Sequence, residues 1–177
     1  DVKWHNGIIS NPNCSTIITV TAVNALNKLS PIKTMVASTY QAVSGAGVAG
    51  MAELKNQLEA LQKGEPAEVK TFAYQIAYNL IPQIGGEQVD GYTSEEMKLH
   101  FEGRKIMHLP ELKVSCTCVR VPVMRSHSIS VCMHFDKHLT VEEVREVLKD
   151  APGVKLVDDL AAKEYPMPLE TSGQDIV

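Results

Sequence analysis

One cysteine lies where a nucleophile would be expected. Cys14 stands between a predicted extended segment, residues 4–10, and a helical pattern over residues 17–29, so a strand-to-helix turn is expected here. A helix N-terminus favours a thiolate by about 0.3–1 kcal/mol, which lowers a pKa by less than about one unit. From an ordinary value of ~8.5 this is not enough at neutral pH, so a cationic or basic partner is expected. The alternative is a buried structural cysteine.

Two other groups of residues could complete such a site. Glu95, Lys98 and Glu102 have the three- and four-residue spacing of one helix face, which alone favours a solvated salt-bridge ladder. Arg120 and His127 would be roughly 23 Å apart on opposite faces of a straight strand. Both reach one site only if the chain turns between them. The alternative is an exposed arginine and a loop histidine.

Two apparent ligand motifs are weak. Residues 45–50 spell GxGxxG, but the acidic residue needed about twenty positions later is absent, since Lys70 and Thr71 stand there. We expect a glycine loop that a ligand approaches closely, or a simple tight turn. A Cys-x-Cys pair is not the Cys-x-x-Cys knuckle of structural zinc, so no metal is expected at the candidate ligands Cys116, Cys118, Cys132, His134 and His138.

The elements that must position these residues fit one domain. At 177 residues, the chain is long enough for its own core. Helices are predicted at 16–29, 51–62, 94–107 and 140–149, and strands at 32–40, 112–124, 128–135 and 154–157. Residues 72–91 indicate an irregular connection with at most a short strand. This order predicts an α+β fold with a mixed, largely antiparallel sheet.

Composition excludes several classes of protein. The chain has 44% hydrophobic and 21% charged residues, a net charge of -4 and a pI near 5.9, which argue against a nucleic-acid-binding surface. Neither a membrane-spanning apolar run nor a signal peptide is visible. Four cysteines are too few for a disulfide scaffold, so a reducing, cytoplasmic setting is expected.

Three segments together carry a family resemblance. They are Ser10-Asn11-Pro12-Asn13-Cys14-Ser15-Thr16, Ser38-Thr39-Tyr40-Gln41-Ala42-Val43-Ser44-Gly45-Ala46-Gly47 and Cys118-Val119-Arg120-Val121-Pro122-Val123-Met124-Arg125-Ser126-His127-Ser128. In this order, over essentially the whole chain, they resemble the aspartate-β-semialdehyde dehydrogenases. The resemblance implies a glyceraldehyde-3-phosphate-dehydrogenase-like C-terminal domain with helices on one sheet face. Residues 1–177 would be the catalytic and dimerisation domain of a longer enzyme, without its N-terminal Rossmann domain and C-terminal helix.

The resemblance also implies the reacting groups. Cys14 would be the nucleophile, His127 the general acid and base, and Gln41 would help to place the substrate. The implied reaction is the NADPH-dependent reductive dephosphorylation of β-aspartyl phosphate to aspartate semialdehyde through a cysteine thioester. It belongs to the pathway to lysine, methionine and threonine.

Substrate and cofactor contacts follow from the same resemblance. Arg120 would bind the substrate α-carboxylate, Glu95 its ammonium group and Lys98 the phosphate, with Asn13 on the phosphate side. NADP would be approached by Ser44, Gly45 and Gly47. The implied partners are β-aspartyl phosphate, phosphate and a second copy, in a homodimer or a dimer of dimers, and the piece alone is expected to be inactive.

Three other functions remain open. An N-acetylglutamyl-phosphate reductase-like dehydrogenase uses the same Cys-His chemistry, but its substrate has no ammonium group for Glu95. A thiol hydrolase or acyltransferase would use Cys14 and His127 without a nucleotide. A non-catalytic dimerisation fragment would have an unreactive Cys14.

Overall fold

The computed structural model describes residues 3–177. The helices are α1 (Cys14–Leu29), α2 (Gly47–Gln62), α3 (Ser94–Ile106), α4 (Val141–Lys149) and α5 (Pro168–Thr171). The strands are β1 (Ile32–Gln41), β2 (Lys113–Arg120) and β3 (Ser128–Phe135), and short 3-10 turns lie at Val43–Ala46 and Val89–Gly91. Among the described residues, no helix has the length and apolar character needed to span a bilayer.

The sheet is mixed and has the strand order β2-β1-β3. Strand β1 pairs in parallel with β2 and antiparallel with β3. A parallel pair needs a long crossover, which the chain supplies between β1 and β2 through α2, an irregular segment and α3. The α+β class and the mixed sheet predicted from the sequence are confirmed.

Helices α1 and α3 cover one face of this sheet. The core between them contains Val20 and Val23 of α1, Met35 of β1 and Leu99 of α3, and Cys118 of β2 is completely buried there. The predicted alternation along β2 holds, because its even-numbered residues from 116 to 120 are buried and residues 115 and 117 are exposed. The opposite sheet face has no helix of the described chain against it.

The irregular segment after α2 is fixed by buried polar side chains of that helix. Gln57 accepts hydrogen bonds from the backbone N–H groups of Ile76 and Ala77 and donates to the Glu68 carbonyl. Glu53 accepts the backbone N–H of Thr71. Backbone groups without a strand partner are thereby satisfied, which explains an ordered path where the sequence predicts a loop.

Two predicted strands are wrong. Residues 4–10 form no strand, and neither do residues 11–13, so Cys14 does not follow a strand; residues 154–157 are not a strand either. Both have a β-prone pattern, but a strand also needs a neighbour to pair with, which local pattern does not report. The predicted strand over 112–124 ends at Arg120, because Pro122 has no N–H and the N–H of Val123 turns back to the Val121 carbonyl.

Candidate active site

The start of α1, the ends of β1 and β2 and the start of β3 lie together at one edge of the sheet. Only Ser30 and Pro31 separate α1 from β1, so the chain reverses and β1 returns toward the start of α1. Because β1 and β2 are parallel, their last residues, Gln41 and Arg120, lie side by side. The start of β3 meets the same end, with Ser128 opposite Tyr40. The polar candidates far apart in sequence are therefore brought together.

Cys14 is the first residue of α1, and Asn13 caps that helix. The Asn13 side-chain oxygen accepts the N–H groups of Ser15 and Thr16 at 3.0 and 3.1 Å. These are helix N–H groups that have no partner inside the helix. The Cys14 side chain is exposed, so a reagent or substrate reaches its sulfur.

Glu95 is the centre of the polar network. It is 8% exposed, and its Oε1 accepts Asn13 Nδ2 at 2.9 Å and Gln41 Nε2 at 3.0 Å. Its Oε2 pairs with Lys98 Nζ at 3.1 Å, and Cys14 Sγ lies 4.0 Å from Oε1. The sequence spacing alone favoured a solvated ladder on this helix face, and that interpretation is wrong for Glu95.

The charge of Glu95 sets the ionisation of the cysteine. Burial would raise the pKa of Glu95, but hydrogen bonds from Asn13, Gln41 and Lys98 outweigh it and hold that pKa below its ordinary value. Burial first, and then the Glu95 charge, raise the pKa of Cys14. A thiol of lowered pKa is therefore not what this arrangement produces, because the sulfur is partly buried and a carboxylate oxygen lies 4.0 Å from it.

Arg120 and His127 are held by one backbone position, Ala42. Arg120 Nη1 donates to the Ala42 carbonyl at 2.7 Å, and the Ala42 N–H donates to His127 Nδ1 at 3.0 Å. Since Nδ1 is the acceptor, the neutral ring carries its proton on Nε2. Burial and the Arg120 charge lower the pKa of His127, which favours that neutral form. Within residues 3–177, no hydrogen bond joins the His127 ring to the Cys14 thiol.

The glycine segment lies against this pair. A Cβ on Gly45 would be 2.6 Å from Arg120 Nη1 and 3.4 Å from His127 Nε2, so only glycine leaves room for both side chains. Gly45 and Gly47 are exposed, and Ser44 is half-buried with its N–H bonded to the Met124 carbonyl. The segment forms a 3-10 turn followed by α2.

The predicted turn between Arg120 and His127 is confirmed. Strand β2 ends at Arg120, and the N–H of Val43 then pairs with the Val123 carbonyl as the chain crosses beside the 3-10 turn. Ser126 has a φ of +73°, a left-handed conformation that redirects the backbone just before the histidine. Both side chains therefore face the same edge of the sheet.

The described residues contain no group of three or more His, Cys, Asp or Glu side chains arranged to hold a metal. Cys116 and Cys118 have sulfur atoms 3.6 Å apart, but both are buried in the core beside β1. The hydrogen bond with Cys118, and then burial, raise the pKa of Cys116, so Cys116 is held as a thiol.

Two contributors, Ala42 and Thr39, were not predicted from the sequence, and a third, Glu102, was predicted only as a member of the helix face that carries Glu95 and Lys98. Ala42 acts through its backbone, which no side-chain motif reveals. Thr39 orients Gln41 by donating to its side-chain oxygen at 2.8 Å. Glu102 accepts the Asn13 backbone N–H at 2.8 Å. Its spacing of seven residues from Glu95, two helical turns, was the available signal.

Comparisons with known proteins place this fold among the domains of dehydrogenases. The chain belongs to the semialdehyde dehydrogenase family: the profile of that family's dimerisation domain matches residues 23–177. Cys14 and Asn13 precede the matched range.

Several relatives are aspartate-semialdehyde dehydrogenases. The chain is 50% identical over 172 residues to the enzyme of Aquifex aeolicus, covering 97% of this chain and 51% of that one. It is 46% identical over 185 residues to the Bacillus subtilis enzyme, covering 100% and 54%. Aspartate semialdehyde dehydrogenase II of Vibrio cholerae, solved in complex with ASA, has a TM-score of 0.90 and 40% identity over 94% of this chain and 49% of that one. The chain thus spans about half the length of the relatives it matches.

Proposed function

We propose that this chain is the catalytic and dimerisation domain of an NADPH-dependent aspartate-semialdehyde dehydrogenase. The observation that carries the proposal is the buried Glu95, which binds Asn13, Gln41 and Lys98 and whose Oε1 lies 4.0 Å from the Cys14 sulfur. Such a network is far more elaborate than a structural cysteine requires. The names of the relatives support the same reaction.

The charges of the site suit an amino-acid acyl phosphate. Arg120 presents a planar guanidinium that can bind a carboxylate through two hydrogen bonds. Glu95 offers an anion for an ammonium group, and Lys98 a cation for a phosphate. A substrate that carries all three groups would satisfy all three side chains. An N-acetylated substrate has no ammonium group to join Lys98 at Glu95, which makes it the weaker candidate.

Substrate binding would also activate the cysteine. Burial, and then the Glu95 charge, raise the pKa of Cys14, which favours the protonated, less reactive thiol without substrate. An ammonium group placed on Glu95 offsets that charge and lowers the pKa of the thiol. The nucleophile is then formed when its substrate is present.

The chemical steps follow from the residues. The Cys14 sulfur attacks the acyl carbon, the carbon–oxygen bond to phosphate breaks, and a thioester remains on the enzyme. His127, with its proton on Nε2, donates a hydrogen bond to the carbonyl oxygen as negative charge develops there. The reduced thioester would carry its negative charge on the same oxygen, where the Nε2–H of His127 would again donate a hydrogen bond. When that oxygen forms the aldehyde carbonyl, the carbon–sulfur bond breaks, which releases the aldehyde and the Cys14 thiolate.

The cofactor would approach the exposed glycine segment. When bound, NADPH supplies the hydride. Gly45 and Gly47 are exposed beside Arg120 and His127, and Gly47 has no atom within 4 Å of where a Cβ would lie, so this backbone leaves room for a planar ring. The rest of the nucleotide would be held by the N-terminal nucleotide-binding domain of the longer enzyme, which fits a chain spanning about half of its relatives.

The open sheet face would form the homodimer interface. Val36 is 53% exposed and Tyr40 48% exposed on β1, beside the exposed Cys132 and His134 of β3. An apolar patch on a sheet face without a covering helix is typical of an interaction surface. We expect Val36→Glu to convert the dimer to a monomer in sedimentation, and an unchanged dimer would place the interface elsewhere.

Turnover of the longer protein tests the proposed reaction. We expect reduction of NADP in the presence of aspartate semialdehyde and phosphate, with a covalent acyl group found on Cys14 by mass spectrometry when the reaction is quenched. Equal turnover of an N-acetylated γ-semialdehyde would favour the alternative dehydrogenase. Thioester hydrolysis without nucleotide would indicate a hydrolase, and an unlabelled Cys14 a non-catalytic domain.

A further inference from the structure

Helix α1 begins differently from the other capped helices. In α3 and α4, the N-cap threonine and the glutamate three residues later bond reciprocally, through Thr93 with Glu96 and Thr140 with Glu143. In each, the glutamate accepts the backbone N–H of the N-cap residue. The corresponding position in α1 is Thr16, which cannot supply a carboxylate to its own N-cap.

In α1, Glu102 of α3 accepts the backbone N–H of the N-cap residue instead. Its Oε2 accepts the backbone N–H of Asn13 at 2.8 Å, a contact that spans 89 residues of sequence. Asn13 is thus bound to α3 twice, since its side chain also donates to Glu95 at 2.9 Å. Glu95 and Glu102 are two turns apart on one face of α3, and together they fix both the backbone and the side chain of the residue before Cys14.

We infer that Glu102 is a positioning residue, which sets the location of the Cys14 sulfur relative to the groups that α3 carries. This inference rests on the proposed function, in which Cys14 is the nucleophile. A self-contained cap would stabilise α1 without fixing where it begins relative to α3. The shared cap fixes that relation, because the acceptor belongs to α3 and the N–H that it binds belongs to the N-cap of α1.

Substitutions at Glu102 can therefore test this role. Glu102→Ala removes the acceptor, and Glu102→Asp keeps the charge but shortens the side chain by one methylene. Glu102→Gln removes the charge but retains an oxygen that can accept the Asn13 N–H. Glu111→Ala is the matched control, since it removes an exposed carboxylate from the connection after α3.

We expect Glu102→Ala and Glu102→Asp to lower kcat about 10-fold or more in the longer protein, because small displacements of a nucleophile are costly. KM should stay within about 3-fold. Glu102→Gln and Glu111→Ala should keep kcat within about 3-fold. An unchanged kcat in Glu102→Ala would overturn the inference, and so would an equal loss in Glu102→Gln, which would show an effect of charge rather than position.

Hydrogen exchange separates this inference from the proposed function. Exchange of the Asn13 amide should be faster in Glu102→Ala and Glu102→Asp than in wild type, and close to wild type in Glu102→Gln. This measurement does not depend on activity, so it reports on the hydrogen bond between Glu102 and the Asn13 N–H even if the wild-type protein does not turn over the semialdehyde. Slow exchange retained in Glu102→Ala would contradict the inference, whereas a missing wild-type turnover would count against the function alone.

Discussion

The starts of α1 and α4 use the same kind of capping residue in different ways. At α4, Thr140 and Glu143 satisfy each other within four exposed residues. At α1, Asn13 caps its own helix but takes its other two partners, Glu95 and Glu102, from α3. The first arrangement stabilises one helix. The second fixes two helices relative to each other, and it is found where a nucleophile would need a defined position.

The largest predicted difference between the two starts concerns their first helical residues. Cys14→Ala should lower kcat by on the order of 10⁴-fold or more, because no other group replaces a lost nucleophile. The equivalent change at α4, Val141→Ala, should leave kcat within about 2-fold, since Val141 is 57% exposed and far from the network. Steady-state kinetics of the longer protein test both variants. Substantial activity in Cys14→Ala would mean that this helix start is not catalytic.

A smaller effect is expected where the network meets the glycine segment. Gly45→Ala places a methyl group 2.6 Å from Arg120 Nη1, and the guanidinium is the part that can move away. Loss of a hydrogen bond between charged groups predicts a rise in KM for the acyl substrate of about 10-fold or more.

Gly86→Ala is the control for this prediction, because a Cβ there meets no atom within 4 Å and the backbone is not left-handed. We expect its KM to equal that of wild type. An unchanged KM in Gly45→Ala would indicate that Arg120 does not bind the substrate. A circular dichroism spectrum of each variant confirms that the fold is intact.

The smallest effect should come from the cap of α4. Thr140→Ala removes the side chain that accepts the Glu143 N–H, and we expect a loss of about 1 kcal/mol in the free energy of unfolding. Because this cap is confined to one exposed helix, kcat should not change. Urea unfolding and steady-state kinetics measured together check both parts. A drop in kcat would show that the two helix starts are less different than their hydrogen bonds indicate.

Strong local signals were enough to predict most of the elements. Strand β3 was predicted with the observed bounds, and Thr93 with Glu96 gives α3 a capping signature that can be read from the chain. The false strand over residues 154–157 shows the limit, because its residues are β-prone but find no strand to pair with.

The candidate site was predicted as a set of residues, but not as a set of contacts. Cys14 and Glu95 were both singled out, yet their separation of 4.0 Å depends on how α1 packs against α3. The sequence therefore suggested a cationic partner for the thiol, where the structure has an anion. The role of Ala42 could not be predicted at all, since its backbone atoms carry it. Tertiary packing decides such contacts.

The rate of Cys14 alkylation as a function of pH tests the central claim most directly. Wild type and Glu95→Gln would be compared by mass spectrometry of individual peptides, with free glutathione as the reference thiol in each sample. Burial, and then the Glu95 charge, oppose ionisation of Cys14, so removal of that charge should lower the pKa of the thiol and move the midpoint of its alkylation to lower pH. The alkylation of glutathione should be the same in both samples. An identical midpoint in both proteins would contradict the account, because Glu95 would then not control the nucleophile.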